Sequence, residues 1–238
     1  IEISRQYAIS GEFSDNMAYL VSRRTRLLGN AQNKIIALED LLRRKKPEPY
    51  SLFYCGEGRS ENNFSYEDEQ FNSNEDSELV GTRQIDIVTS LLHNNGWKTS
   101  KFTNNESPSI KKLILNNFKT GKVDSLIAMK CLDEGIDIPL CKTAFILASS
   151  KNPRQFIQRR GRILRKHPQK EKAIIYDFFV SLPLFDEKNK NDKRLFKQEI
   201  ERVDEFRRLS INPNDAYEVL KPLLIMHYPS LIKTLIRP

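Results

Sequence analysis

Residues 125–139 read SLIAMKCLDEGIDIP, and residues 152–165 read NPRQFIQRRGRILR. The first stretch opens on an apolar run, Ser125 to Met129, of the length and composition of a buried strand, and passes into a turn around Gly135 flanked by carboxylates. In an open parallel sheet, ligands bind beyond the carboxyl ends of the strands. A turn of this kind at such a place serves a ribose hydroxyl, a metal ion, or simply the capping of its own amides. The second stretch reads as a helix over Pro153 to Leu164, with Phe156, Ile157, Ile163 and Leu164 as apolar anchors. On a helix Gln158, Arg162 and Arg165 fall at i, i+4 and i+7 and share one face. Two guanidiniums and an amide projecting together suit a phosphate chain, because each guanidinium offers a planar fork to phosphate oxygens. Gly161 costs about 1 kcal/mol relative to Ala inside a helix, which implies close approach by another group.

Working outward, strands and helices alternate. Ser51 to Cys55 is a short apolar run ended by Gly56. Arg83 to Asn94 is helical by its spacing of Ile85, Val88, Leu91 and Leu92, and Trp97 to Thr103 is extended. Ser107-Pro108 opens a further helix, in which Ile110, Leu113, Ile114 and Phe118 form the expected buried stripe, and Gly121 closes it. Thr143 to Leu147 and Ala173 to Val180 complete five strands. Continuous apolar strands separated by helices specify an α/β domain with a parallel sheet covered on both faces. Upstream, Asn16 to Lys46 is helical, divided at Gly29-Asn30 and stopped by Pro47 and Pro49. Downstream, Lys188 to Lys193 reads as a charged connector. It precedes an amphipathic helix through Phe196, Ile200, Val203, Phe206 and Leu209, and a second helix over Ala216 to Tyr228.

The net charge of +8 is unevenly spread. Residues 51–80 hold eight acidic side chains and one basic, whereas 151–172 hold nine basic and one acidic. Residues 57–78 are polar, acidic and aperiodic, and read as a surface insertion. The basic remainder favours polyanionic partners. Three cysteines make no disulfide framework and no CxxC pair, which points to a reducing, cytoplasmic setting. No apolar run approaches the length of a membrane span. His93, His167 and His227 are scattered without metal-ligand spacing, so no metal site is expected. Trp97, Phe53, Tyr54 and Phe102 lie in strand patterns and read as core rather than as base-stacking platforms.

The two opening stretches resemble motifs V and VI of superfamily 2 helicases and translocases of the DEAD/DEAH type: DEGIDIP for motif V, and QFIQRRGRILR for motif VI in the pattern Gln-x-x-Gly-Arg-x-x-Arg. FYCGEG at 53–58 resembles motif IV, and Phe118 to Gly121 resembles the helix end before the motif V strand. The resemblance covers roughly 50–180 and implies the second, C-terminal RecA-like lobe of such an enzyme, nearest to the repair and restriction types. DEAD-box RNA helicases usually carry ARGLDIP, and His at the Gln158 position.

By that resemblance ATP lies between two lobes, with Arg162 and Arg165 as arginine fingers, Gln158 orienting them, Asp137 on the ribose and Gly135 allowing close approach. Gly56, Thr103 and Lys130 would touch nucleic acid, with duplex DNA favoured over RNA. There is no G-x-x-x-x-G-K-[ST] loop and no Walker B strand, so the main phosphate and Mg²⁺ ligands are assigned to a first lobe outside this sequence. The chain opens on Ile1 rather than Met, which agrees with that reading. By itself it is expected to hydrolyse little ATP. The expected division is 1–48, a helical link to the first lobe; 49–182, the lobe, with 57–80 as an acidic insertion; and 183–238, a helical extension. The alternatives are an RNA helicase lobe, or a non-catalytic nucleic-acid-binding module of the same fold.

Overall fold

The structure, a computed structural model, describes residues 28–56, 59–61, 81–129, 138, 140–148, 161, 165–180, 190–227 and 229. They divide between Phe178 and Phe179 into two compact units.

In the first unit, helix α1 (Gln32–Arg44) precedes strand β1 (Ser51–Tyr54). Then follow β2 (Arg59–Glu61), β3 (Gly81–Arg83), α2 (Gln84–Asn94), β4 (Thr99–Phe102), α3 (Pro108–Lys119), β5 (Ser125–Ala128), β6 (Thr143–Ile146) and β7 (Ile174–Asp177). Five strands form one all-parallel sheet in the order β4-β5-β1-β6-β7. This is the parallel α/β sheet expected from the sequence. The three central strands are buried at every residue, as continuous apolar runs require. The edge strands β4 and β7 are more exposed.

Parallel register sets the core. Phe53 pairs with Phe145, which pairs with Tyr176. Their rings therefore stack at centroid distances of 4.3 and 4.9 Å, close to the spacing of adjacent strands. Trp97 meets Phe53 edge-on at 5.4 Å. Leu38 and Leu42 of α1, and Ile85, Val88 and Leu92 of α2, join this cluster. The aromatics Phe53, Tyr54, Trp97 and Phe102 are all buried.

Two expectations are corrected in this unit. The 57–78 stretch is not without regular structure: Arg59 to Glu61 pairs antiparallel with Gly81 to Arg83, with the intervening residues outside the described ones. The stripe on α3 is only partly covered. Phe118 is fully buried, but Ile110 and Leu113 are 49% and 59% exposed. Helical spacing predicts which residues share a face, but it does not say whether the sheet reaches under that face. Here α3 packs against the edge strand β4. At Gly161 a β-carbon would meet nothing within 4 Å among the described residues.

The second unit contains α4 (Lys190–Arg208) and α5 (Pro213–His227). Helix α4 begins inside the stretch read as a charged connector, because Lys, Asn and Asp are tolerated in a helix held by a later apolar face. Ile200, Leu220 and Leu224 are its buried core, with Phe179, Val203 and Tyr217 packed on it. Leu209, expected on that face, lies beyond the end of α4 and is 64% exposed. Among the described residues no helix is long and apolar enough to cross a membrane.

Candidate functional site

Three stretches singled out by sequence spring from one edge of the sheet. β1 ends at Tyr54 and runs on into Cys55 and Gly56; β5 ends at Ala128, just before 130–139; β6 ends at Ile146, just before 152–165. Because β5 and β6 flank β1 on either side, the three carboxyl ends are neighbours, spaced by about 4.8 Å per strand. Backbone bonds continue past the strand ends, from Cys55 N to Ala128 O at 2.8 Å and from Leu147 N to Tyr54 O at 3.0 Å. β4 brings Thr103 to the same edge.

Of the expected site residues, Gly135, Asp137, Gln158, Arg162 and Lys130 lie outside the described residues. Arg165 is described and exposed, and an exposed guanidinium is chemically suited to a phosphate chain. Lys170 is buried, and its Nζ donates to the Cys141 carbonyl at 3.1 Å, at the amino end of β6.

Gly56 is buried. Its N–H donates to Gln84 Oε1 at 2.7 Å, and Gln84 Nε2 donates in turn to the Gly29 carbonyl at 3.0 Å. A β-carbon on Gly56 would stand 3.1 Å from Asn30 Oδ1 and 3.3 Å from Ala148 Cβ, so a larger residue fits only if those neighbours give by a few tenths of an ångström. Lys34 Nζ donates to the Leu147 carbonyl at 2.6 Å. Thr103, 6% exposed, donates both its N–H and its hydroxyl to Glu106 Oε2, at 2.6 and 2.8 Å, and its Oγ1 accepts from Asn105 N–H at 3.2 Å. The two track candidates that are described therefore have their donors engaged within the chain.

Sequence reasoning missed Gln84 and Lys34. The signal was present: Lys34 shares a helix face with Leu38 and Leu42 at steps of four, a polar residue in a buried stripe. Gln84 likewise starts the buried face of α2. Cys55 and Cys141 are buried free thiols. Burial pushes Cys55 far above the ordinary thiol range, with Asp86 adding to the shift, and pushes Cys141 up to about 12 against the partial relief of Lys170. Neither is a thiolate nucleophile at neutral pH. Among the described residues no three of His, Cys, Asp and Glu come together as a metal site.

Residues 67–167 match the family described as the helicase conserved C-terminal domain, a span that includes both opening motifs. The chain is 38% identical over 69 residues to Dicer-like protein 2 of Coccidioides immitis, covering 29% of this chain and 5% of that protein. It is 30% identical over 146 residues to the DNA 3'-5' translocase XPB2 of Sulfurisphaera tokodaii, covering 61% of this chain and 26% of that one. The Pyrococcus furiosus Hef helicase domain aligns with it in structure at a TM-score of 0.39 and 21% identity, covering 69% of this chain and 28% of that one. The chain thus spans a small fraction of the length of these two relatives. The similarity of residues 67–167 to a helicase C-terminal domain agrees with the motif resemblance read from the sequence.

Proposed function

We propose that this chain supplies the second motor lobe of an ATP-dependent DNA translocase or helicase, with ATP bound between it and a preceding lobe. The observation that carries this reading is the common origin of the motif-bearing segments. Those at 130–139 and 152–165 follow the two strands that flank β1, at the carboxyl edge of one parallel sheet and within the span that matches the helicase domain. Such an edge is where α/β sheets take their ligands.

In this mechanism Arg162 and Arg165 donate to the phosphate oxygens on which charge accumulates as the γ-phosphoryl group transfers. Gln158 orients them, Asp137 accepts from the ribose hydroxyls, and Gly135 lets the backbone approach. Mg²⁺ would neutralise the β- and γ-phosphates. The described residues contain no acidic cluster suited to it, so its ligands are assigned to the preceding lobe. Gly56, Thr103 and Lys130 belong to the nucleic-acid track, reached through the turns that hold them. Duplex DNA is the favoured track, supported by the LDEGIDIP and QRRGRILR wording of the motifs and by similarity to a protein named as a DNA translocase. The setting is a reducing cytoplasm, in repair, restriction or phage defence. The lobe occupies 49–182, with helical segments on either side.

The test is ATP turnover by the protein that joins this chain to its preceding lobe, with duplex DNA and with RNA as activators. Arg162→Ala should lower kcat by about 10³ or more while DNA affinity stays within about twofold. Unchanged turnover removes the finger assignment. Stimulation by RNA but not by DNA would transfer the reading to an RNA helicase, and DNA binding without ATPase activity to a non-catalytic module.

A further inference from the structure

In an open parallel sheet the ligand crevice opens where the connections on either side run in opposite directions. Here that point lies between β1, whose chain leaves toward β4, and β6, whose chain leaves toward β7. The chain's own polar groups fill it. Four segments distant in sequence converge there: the turn and first helical residues at 28–34, the end of β1, the start of α2, and the end of β6. Gln84 and Lys34 are only 2% and 5% exposed.

Burying an amide and an ammonium is costly unless their polar atoms are paired, and apolar side chains would close such a gap without that cost. What the polar filling adds is geometry. One Gln84 side chain holds two backbone groups at once, Gly29 O on the segment entering the sheet unit and Gly56 N–H on the turn after β1. Lys34 ties the same entering segment to the end of β6, 113 residues away.

We propose that Gln84 is a positioning residue that couples residues 28–34 to the turn after β1, so that a shift in the entering segment is felt at the carboxyl edge. In the proposed motor the preceding lobe is attached through that segment, and the coupling gives its movement a route to the nucleic-acid track. The consequence for nucleic acid rests on the proposed function; the coupling itself does not.

The full chain is tested by amide hydrogen exchange, read at Gly56, and by anisotropy of a fluorescently labelled duplex oligonucleotide. Gln84→Met should speed Gly56 exchange about tenfold or more and leave the helix content unchanged. It should weaken oligonucleotide binding about three- to tenfold. Lys34→Met, made on the entering segment, should also speed Gly56 exchange, but add nothing once Gln84 is replaced, because the route is then gone. A purely structural role predicts independent effects. Gly56 exchange unchanged by Lys34→Met, or effects that add, overturns the coupling. Gln84→Glu, which keeps the acceptor for Gly56 and loses the donor to Gly29, carries the same comparison if Gln84→Met does not fold. A parent chain that binds neither DNA nor RNA overturns the functional reading, while the exchange cycle still decides the coupling.

Discussion

Phe53, Phe145 and Tyr176 stack in one register across three strands, the first two within a cluster of eleven buried side chains and Tyr176 packed against it. The pair α4–α5 closes over three buried apolar residues and ties its surface with arginines. Asp204 receives Arg207 Nε at 2.7 Å and Arg208 Nε at 2.6 Å, and Glu199 receives Arg202 at 3.2 Å. The sheet unit is therefore held by apolar contact whose geometry the strand register dictates. Among the described residues the helical pair buries three apolar side chains, and the ion pairs beside them lie within α4. The same contrast separates what can be engineered in each: volume in the first, ion pairing in the second.

The largest effect is expected where the sheet unit is densest. Phe53 is fully buried and lies between the Phe145 ring and Trp97. Phe53→Ala should cost about 3–5 kcal/mol, the sum of lost transfer energy and a cavity that the rigid ladder cannot close. Trp97 is the chain's one tryptophan, so its fluorescence during urea unfolding reports on this unit. A loss below about 1 kcal/mol would mean that the stacked row carries little of the stability, and the contrast would fail at its first term.

Charge removal in the helical pair comes next. Asp204 and Arg207 have side chains only 10% and 12% exposed, so Asp204→Ala takes the carboxylate from a nearly buried guanidinium that keeps its contact with the Tyr217 ring, and should cost about 2–3 kcal/mol. Arg208 is 54% exposed, and Arg208→Ala should cost less than about 0.5 kcal/mol although its bond is the shorter one. Amide exchange of α4 and α5 measures both. Equal costs for the two variants would show that exposure does not set the strength of these pairs.

The contrast also explains what could be read from the sequence. The parallel sheet was legible because strands buried on both faces appear as unbroken apolar runs, and Leu52 to Cys55, Leu126 to Ala128 and Ala144 to Leu147 are such runs. The positions of the two motifs at strand ends followed from the same runs. Less was visible where cover comes from elsewhere in the fold. Spacing placed Ile110 and Leu113 on one face of a helix, but which margin of the sheet that helix would flank depends on strand order, which no local pattern encodes. The antiparallel pairing at Arg59 and Arg83 joins short polar segments across some twenty residues, with no periodicity to mark them. Gln84 and Lys34 were unreadable as a pair, because their meeting point exists only once β1 and β6 are neighbours.

Helix α3 is the place within the sheet unit where the contrast should weaken. With Phe118 as its only fully buried side chain, it must hold itself by local devices, as the helical pair does. Ser107 caps its start, accepting from Ile110 N–H at 3.4 Å, with Pro108 pre-set in the first turn. At the other end Gly121 takes φ +70°, and the amides of Gly121 and Lys122 return to the carbonyls of Phe118 and Asn117. A side chain in that left-handed conformation is strained, and the open space around Gly121 offers no packing in return. Gly121→Ala should therefore cost about 1 kcal/mol, less than Phe53→Ala or Asp204→Ala. It should appear as faster amide exchange within Pro108 to Lys122, with the Trp97 unfolding midpoint shifted far less than by Phe53→Ala. If the Trp97 midpoint instead moves as much as the helix's own exchange, α3 is a full member of the sheet's cooperative core, and the exposed Ile110 and Leu113 understate how firmly it is attached.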